Sequence, residues 1–247
     1  MKKQKSIGTW ICSYNSVNLE ILKNSKFDWF TIDLEHSAMT LDLCFDIISY
    51  LKSSSSKSCF VRMSDLNQSN IKRVLDFGAD GIILPMVKNK NEIENIIDAA
   101  HYPPLGSRGT GLFRAQEHGD RLEDYIKESY KNTKIIIQIE HIDAIENFHD
   151  FLKYDAINGF IIGPYDLSAS LGNPGDFENK KFKNAIEKFE SLCSKSRKDM
   201  GYHMAFPDSK KLKTLLKSGY NFIGYSTDIL LFKTQMDIIN KDISSCV

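Results

Sequence analysis

Short apolar runs rich in β-branched and aromatic residues alternate along the chain with stretches whose apolar positions fall at helical spacing. The runs cover residues 8–12, 29–33, 58–62, 81–85, 134–138, 159–163, 200–204 and 221–225. Several are almost continuously apolar, as strands buried on both faces are. Between them, Ile71, Val74 and Leu75 sit at i, i+3 and i+4, as do Ile93, Ile96 and Ile97, which predicts one-sided helices. Asp208 ahead of Leu212, Leu215 and Leu216, with Gly219 behind them, has the form of a capped helix and its stop. Glycines in residues 77–81 and 218–220 punctuate the passage from a helix to the next strand. Eight such units in 247 residues predict a TIM (β/α)8 barrel that fills residues 1–247 as one domain. An open doubly wound sheet is the alternative, but no GxGxxG follows the first run and no chain remains for a second domain.

Composition narrows the partners. The chain is 42% hydrophobic, enough to build a core and to exclude disorder. Its 32 basic side chains balance 32 acidic ones, which argues against nucleic acid or an anionic membrane surface and for a small substrate. Cys12, Cys44, Cys59, Cys193 and Cys246 are odd in number and scattered, so they read as buried apolar residues rather than a disulfide framework or a zinc knuckle. The basic Met1-Lys2-Lys3-Gln4-Lys5 is not followed by the apolar run of a signal peptide, and no stretch has the length of a membrane span. The expectation is a cytoplasmic enzyme. Ser53-Ser54-Ser55-Ser56 reads as a helix-to-strand loop. The longest break in the alternation is residues 100–133, with a helix expected at 122–130. Its Gly106-Ser107-Arg108-Gly109-Thr110-Gly111 resembles no phosphate cradle and reads as a tightly turned or flexible active-site loop.

In a barrel of this kind, polar residues at the C-terminal ends of strands line the site. The second run ends in Asp33-Leu34-Glu35-His36, the third in Arg62, the fifth in Gln138-Ile139-Glu140-His141 and the sixth in Gly163-Pro164-Tyr165-Asp166. The fourth ends at Pro85 with no obvious catalytic group. Glu140 and Asp166 lie one strand–helix unit apart, so adjacent strand ends could offer two hard oxygen ligands to Mg2+ or Mn2+. The competing reading is that each carboxylate caps the helix that follows it. His36, beside two acids, suits a general base, although alternation along a strand leaves open whether Asp33 or Glu35 orients it. Arg62 at a barrel mouth needs an anion, either a substrate oxyanion or a barrel carboxylate. His141, next to Glu140, is expected to face away.

The segment Phe27-Asp28-Trp29-Phe30-Thr31-Ile32-Asp33-Leu34-Glu35-His36 resembles the signature segment of the HpcH/HpaI aldolase family. These are metal-dependent class II pyruvate aldolases such as 4-hydroxy-2-oxoheptanedioate and 2-keto-3-deoxy-sugar-acid aldolases. Val61-Arg62, Leu75-Asp76-Phe77-Gly78-Ala79, Leu84-Pro85-Met86-Val87, residues 102–109, Gln138-Ile139-Glu140 and residues 162–172 continue the likeness in order. The resemblance implies a (β/α)8 barrel whose last helix is exchanged between subunits, in a homo-oligomer that is commonly a hexamer. It implies one divalent ion (Mg2+, Mn2+ or Co2+) on Glu140 and Asp166, His36 as base, Asp76 as the acid that raises its basicity, and Arg62 as transition-state stabiliser. Gln138 and the Gly163-Pro164-Tyr165-Asp166 segment match the pyruvate-binding positions. The implied reaction splits a 4-hydroxy-2-oxo acid reversibly into pyruvate and an aldehyde through a metal-bound enolate. Decarboxylation of an oxaloacetate-like acid through the same enolate is the alternative. A silent keto-acid-binding barrel is the third reading, and the intact Arg62, His36, Glu140 and Asp166 weigh against it. A Schiff-base route is disfavoured because no lysine ends a strand: Lys57 precedes the third run and Lys134 opens the fifth. Thr110-Gly111-Leu112-Phe113-Arg114-Ala115-Gln116-Glu117-His118 and Tyr165 depart from the catabolic members, and both are expected to border the aldehyde side. Residues 201–204 and 225–228 also suggest a side branch.

Overall fold

In a computed structural model, which describes residues 3–246, the chain runs β1(Ser6–Ile11), α1(Ser16–Lys23), β2(Trp29–Asp33), α2(Leu41–Ser54), β3(Ser58–Arg62), α3(Gln68–Asp76), β4(Gly81–Leu84), α4(Lys90–Ala100), α5(Leu122–Asn132), β5(Lys134–Ile139), α6(Ile142–Glu146), α7(Phe148–Phe151), β6(Gly159–Ile162), α8(Pro164–Ser170), α9(Lys180–Cys193), β7(Asp199–Met204), α10(Ser209–Lys217), β8(Phe222–Thr227) and α11(Asp228–Cys246). Met1 and Lys2 of the basic N-terminal run lie outside the described residues. The strands pair in parallel, each with the next and β8 with β1, and close a TIM (β/α)8 barrel. Among the described residues no helix is long and apolar enough to cross a membrane.

Two apolar clusters explain why the runs are so continuously hydrophobic. Outward-facing strand residues such as Phe30, Ile32, Val61, Ile82 and Ile137 meet the one-sided helix faces in a shared core. Inward-facing Trp10, Trp29, Phe60, Ile83, Ile136, Ile161 and Phe222 fill the barrel. Trp29 stacks on Phe222 with centroids 4.3 Å apart and meets Phe60 edge-on at 5.8 Å. Burying each such side chain stabilises the fold by about 1.5–3 kcal/mol, so the barrel floor is closed and rigid.

Residues two positions further along a strand point to the same side. Above Thr31 and Trp29 comes Asp33, above Phe60 comes Arg62, above Ile136 comes Gln138, and above Gly201 comes His203. The inner face therefore changes from apolar to polar at the C-terminal rim.

Helix starts are set locally. Asp208 caps α10 and Gly219 follows its end at φ 98°, as the sequence pattern predicts. Asn89 and Glu92 form a capping box on α4.

The break between α4 and α5 lies elsewhere than expected. α3 and α4 run back from the mouth, so their ends, and everything joined to them, stand at the N-terminal end of the barrel. Arg108 binds Asp76 at the end of α3 (2.6 Å), Gln116 binds Asp76 (3.2 Å) and the Tyr102 hydroxyl (3.0 Å), and Arg114 binds the Phe77 carbonyl (3.1 Å). The glycine loop is thus pinned through Arg108 to the end of α3, at the far end of its own barrel. It does not border the mouth of the same chain, because the strand preceding it has already been left behind by α4.

Candidate active site

Arg62 and Asp33 form the centre of the mouth. They are register partners on β3 and β2, so their side chains emerge side by side. Arg62 Nε donates to Asp33 Oδ1 (2.8 Å) and Nη2 to Oδ2 (2.6 Å), a two-pronged ion pair that is almost fully buried. Burial alone would raise the Asp33 pKa, but the Arg62 hydrogen bonds and charge outweigh it and hold the carboxyl below its ordinary range. Arg62 Nη1 stands 3.2 Å from Glu35 Oε2. The guanidinium also lies over the Trp10 ring, 4.6 Å from its centroid.

Glu140 is 1% exposed. Its carboxylate accepts from the Met86 backbone N–H (2.9 Å) and from the Gln138 side-chain amide. Burial, then the Glu35 charge, with Asp166 adding to it, pushes its pKa up to about 8. Burial likewise raises Glu35, against the pull of Arg62. Glu35, Glu140 and Asp166 thus repel one another in a site where Arg62 is already held by Asp33. Neither Glu140 nor Asp166 is a helix cap: His141 caps α6 through its ring nitrogen, and backbone Gly163 begins α8. The capping explanation of the two carboxylates falls away.

Gly163 is needed here for a steric reason. A Cβ on it would lie 2.8 Å from both Cγ and Oε1 of Glu140 and 3.0 Å from the Gln138 amide nitrogen. Met86 is a contributor that sequence reasoning missed. Its backbone adopts φ 54°, rare without glycine, and in that turn its N–H reaches Glu140. A backbone donor leaves no residue-type signal, although the Leu84-Pro85-Met86-Val87 motif marks the position.

The remaining expected residues separate. His36 is exposed at the mouth, its Nε2 3.8 Å from Glu35 Oε2, while its backbone N–H donates to Asp33 Oδ1 (3.3 Å). Glu35 is therefore the nearer side-chain partner of His36. Asp76 is at the opposite end of the barrel, bonded to Arg108 and Gln116, and does not meet His36 of the same chain. Tyr165 and Asp166 are exposed on the first turn of α8, with Pro164 and Gly163 buried beneath them. Tyr165 packs edge-on against Phe177.

Among the described residues no three His, Cys, Asp or Glu side chains gather into a ready-made metal cage. Two carboxylates, Glu140 with one hydrogen bond on each oxygen and a lone pair to spare on each, and Asp166 exposed, suit a hard divalent ion that takes its other ligands from substrate and water. The mutual repulsion around Glu140 and the unpartnered, buried Gln138 Oε1 fit that donor set.

Comparison with known proteins agrees with this architecture. The model of the family described as HpcH/HpaI aldolase/citrate lyase matches residues 6–234. The 2-keto-3-deoxy-L-rhamnonate aldolase of Klebsiella pneumoniae subsp. pneumoniae is 33% identical over 239 residues, which cover 96% of this chain and 88% of that protein. Among solved structures, an HpcH/HpaI aldolase from Desulfitobacterium hafniense superposes with a TM-score of 0.88 at 26% identity, covering 97% of this chain and 93% of that one. A family protein from Burkholderia cenocepacia has a TM-score of 0.91 at 21% identity, covering 98% and 95%, a likeness of fold.

Proposed function

The chain belongs to the HpcH/HpaI aldolase/citrate lyase family, whose members are lyases and aldolases, and from that premise we propose that it is a divalent-metal-dependent pyruvate aldolase. Its substrate would be a 4-hydroxy-2-oxo acid, cleaved reversibly to pyruvate and an aldehyde. The observation that carries the reading is the acid cluster: Glu140, buried and raised to about 8, with Glu35 and Asp166 close enough to raise it. A cluster of this kind is costly without a cation to share.

Glu140 and Asp166 would hold the ion. When bound, a divalent ion acidifies the methyl group of a keto acid and favours the enolate form. Gln138 donates one amide N–H to Glu140, which fixes the side chain, and its second amide N–H would donate to the acid end of the substrate. Arg62 is locked in place by Asp33 before substrate arrives, so it presents a preorganised positive edge to the oxygen that gains charge. His36 Nε2, exposed and beside Glu35, takes the methyl proton or returns it. The buried Arg62 and Glu140 sit above an apolar floor, which strengthens each electrostatic interaction. Asp76 could serve a His36 only on another copy of the chain, because its own His36 is at the other end of the barrel.

Exhaustive chelation should abolish retro-aldol cleavage, and Mn2+, Mg2+ or Co2+ should restore it. Activity that survives chelation, or a covalent adduct trapped by borohydride, would refute the metal mechanism.

A further inference from the structure

His203 has no part in the chemistry above, yet it stands inside the same mouth. It is the penultimate residue of β7, on the inward face, opposite Gly224 of β8. Its ring packs against Trp10 with centroids 4.6 Å apart and planes tilted by 40°. Trp10 in turn carries the Arg62 guanidinium, so the indole forms a floor with Arg62 on β3 and His203 on β7, across the barrel from each other. Gly224 leaves the room for this arrangement, since a Cβ there would fall 2.6 Å from Trp10 Nε1 and 3.2 Å from His203 Cδ2.

A phenylalanine or leucine would cover Trp10 as well without placing polar atoms there. His203 instead brings two ring nitrogens; Nε2 is buried without a hydrogen-bond partner among the described residues, which leaves Nδ1 to meet a ligand. The residue is partly exposed and stands at the C-terminal rim of an inward-facing strand, the end of the barrel at which the mouth lies. Burial and the nearby Arg62 charge press its pKa down to about 3, so the imidazole is neutral, with one donor and one acceptor, at any working pH.

The pyruvate half is claimed by Arg62, Gln138, Glu140 and Asp166 on β3 to β6. The β7 side is left for the other fragment. We propose that His203 is a specificity-determining residue that hydrogen-bonds a hydroxyl on the aldehyde-derived half of the substrate. The proposal rests on the aldolase reading. A neutral imidazole selects an uncharged hydroxyaldehyde by hydrogen bonding, and a site built to pair a hydroxyl disfavours the analogue that lacks it.

The test compares glycolaldehyde with propanal as acceptors for pyruvate, alongside solvent exchange of the pyruvate methyl protons, which needs no aldehyde. In His203→Leu the preference for glycolaldehyde over propanal should fall about tenfold or more, with proton exchange within about threefold of wild type. His203→Asn, which keeps a donor and an acceptor at that depth, should retain part of the preference. An unchanged preference in the leucine variant, or an asparagine variant as indifferent as leucine, overturns the proposal. So does a matching loss of proton exchange, which would mean that His203 acts through Trp10 on Arg62. Wild-type protein that exchanges no pyruvate protons with Mn2+ present would instead overturn the aldolase reading itself.

Discussion

Arg62 commits two nitrogens to Asp33 and directs a third toward Glu35. Lysine would keep the charge and lose the fork, leaving Asp33, 1% exposed, with a single mobile partner. If Arg62 only neutralised Asp33, Arg62→Lys would keep most activity. If it also braces the enolate oxygen, turnover should drop by about two to three orders of magnitude, the scale of a lost oxyanion donor. Pyruvate methyl-proton exchange, followed by NMR at matched metal occupancy, should fall with it. Exchange within about a factor of three of wild type would make the residue structural. The arginine and its place at the end of β3 were legible in the sequence. Its choice of Asp33 over Glu35 as bidentate partner was not, because that depends on the β2–β3 register.

At the scale of elements, α11 is unlike the other long helices. None of its residues is buried in the single chain, and Ile229, Phe232, Met236, Ile238, Ile239 and Ile243 are all exposed. The sequence pattern, apolar on more than one helical face, allowed either a deeply packed terminal helix or a contact between subunits. The absence of any buried residue on α11 removes the first. Apolar side chains spread over 19 residues are a surface that soluble monomers rarely leave open. Light scattering at micromolar concentration should therefore find an oligomer, and Phe232→Glu should shift it toward smaller species. A wild-type monomer under those conditions would sink the idea, and with it any route by which Asp76 meets a His36.

For the whole molecule, the acid cluster links metal, proton and fold. The Glu140 pKa is raised from 4.5 to about 8, so the folded, metal-free chain holds a proton that the unfolded chain releases. Between those two values the folded state binds more protons, and stability contributed by this group falls as pH rises. A divalent ion must displace the same proton. Its affinity should then rise by about tenfold per pH unit between pH 6 and 8 and level off above. Calorimetric titration with Mn2+ at several pH values measures this directly. An affinity that is flat across that range would mean that binding displaces no proton from Glu140.

Strand number, strand ends and the identity of Arg62, His36, Glu140 and Asp166 as rim residues follow from period and position, because apolar alternation records how each residue is buried along its own element. What needed the closed barrel is everything that depends on two strands at once. The Asp33–Arg62 fork, the repulsion that raises Glu140, the Met86 N–H turned onto its carboxylate, and the Arg62–Trp10–His203 stack across the floor are all sums over neighbours. Chain direction decided the rest. α3 and α4 carry Asp76 and the glycine loop away from the mouth at which the sequence motifs place them, since a helix that returns along a parallel barrel must end on the side where strands begin.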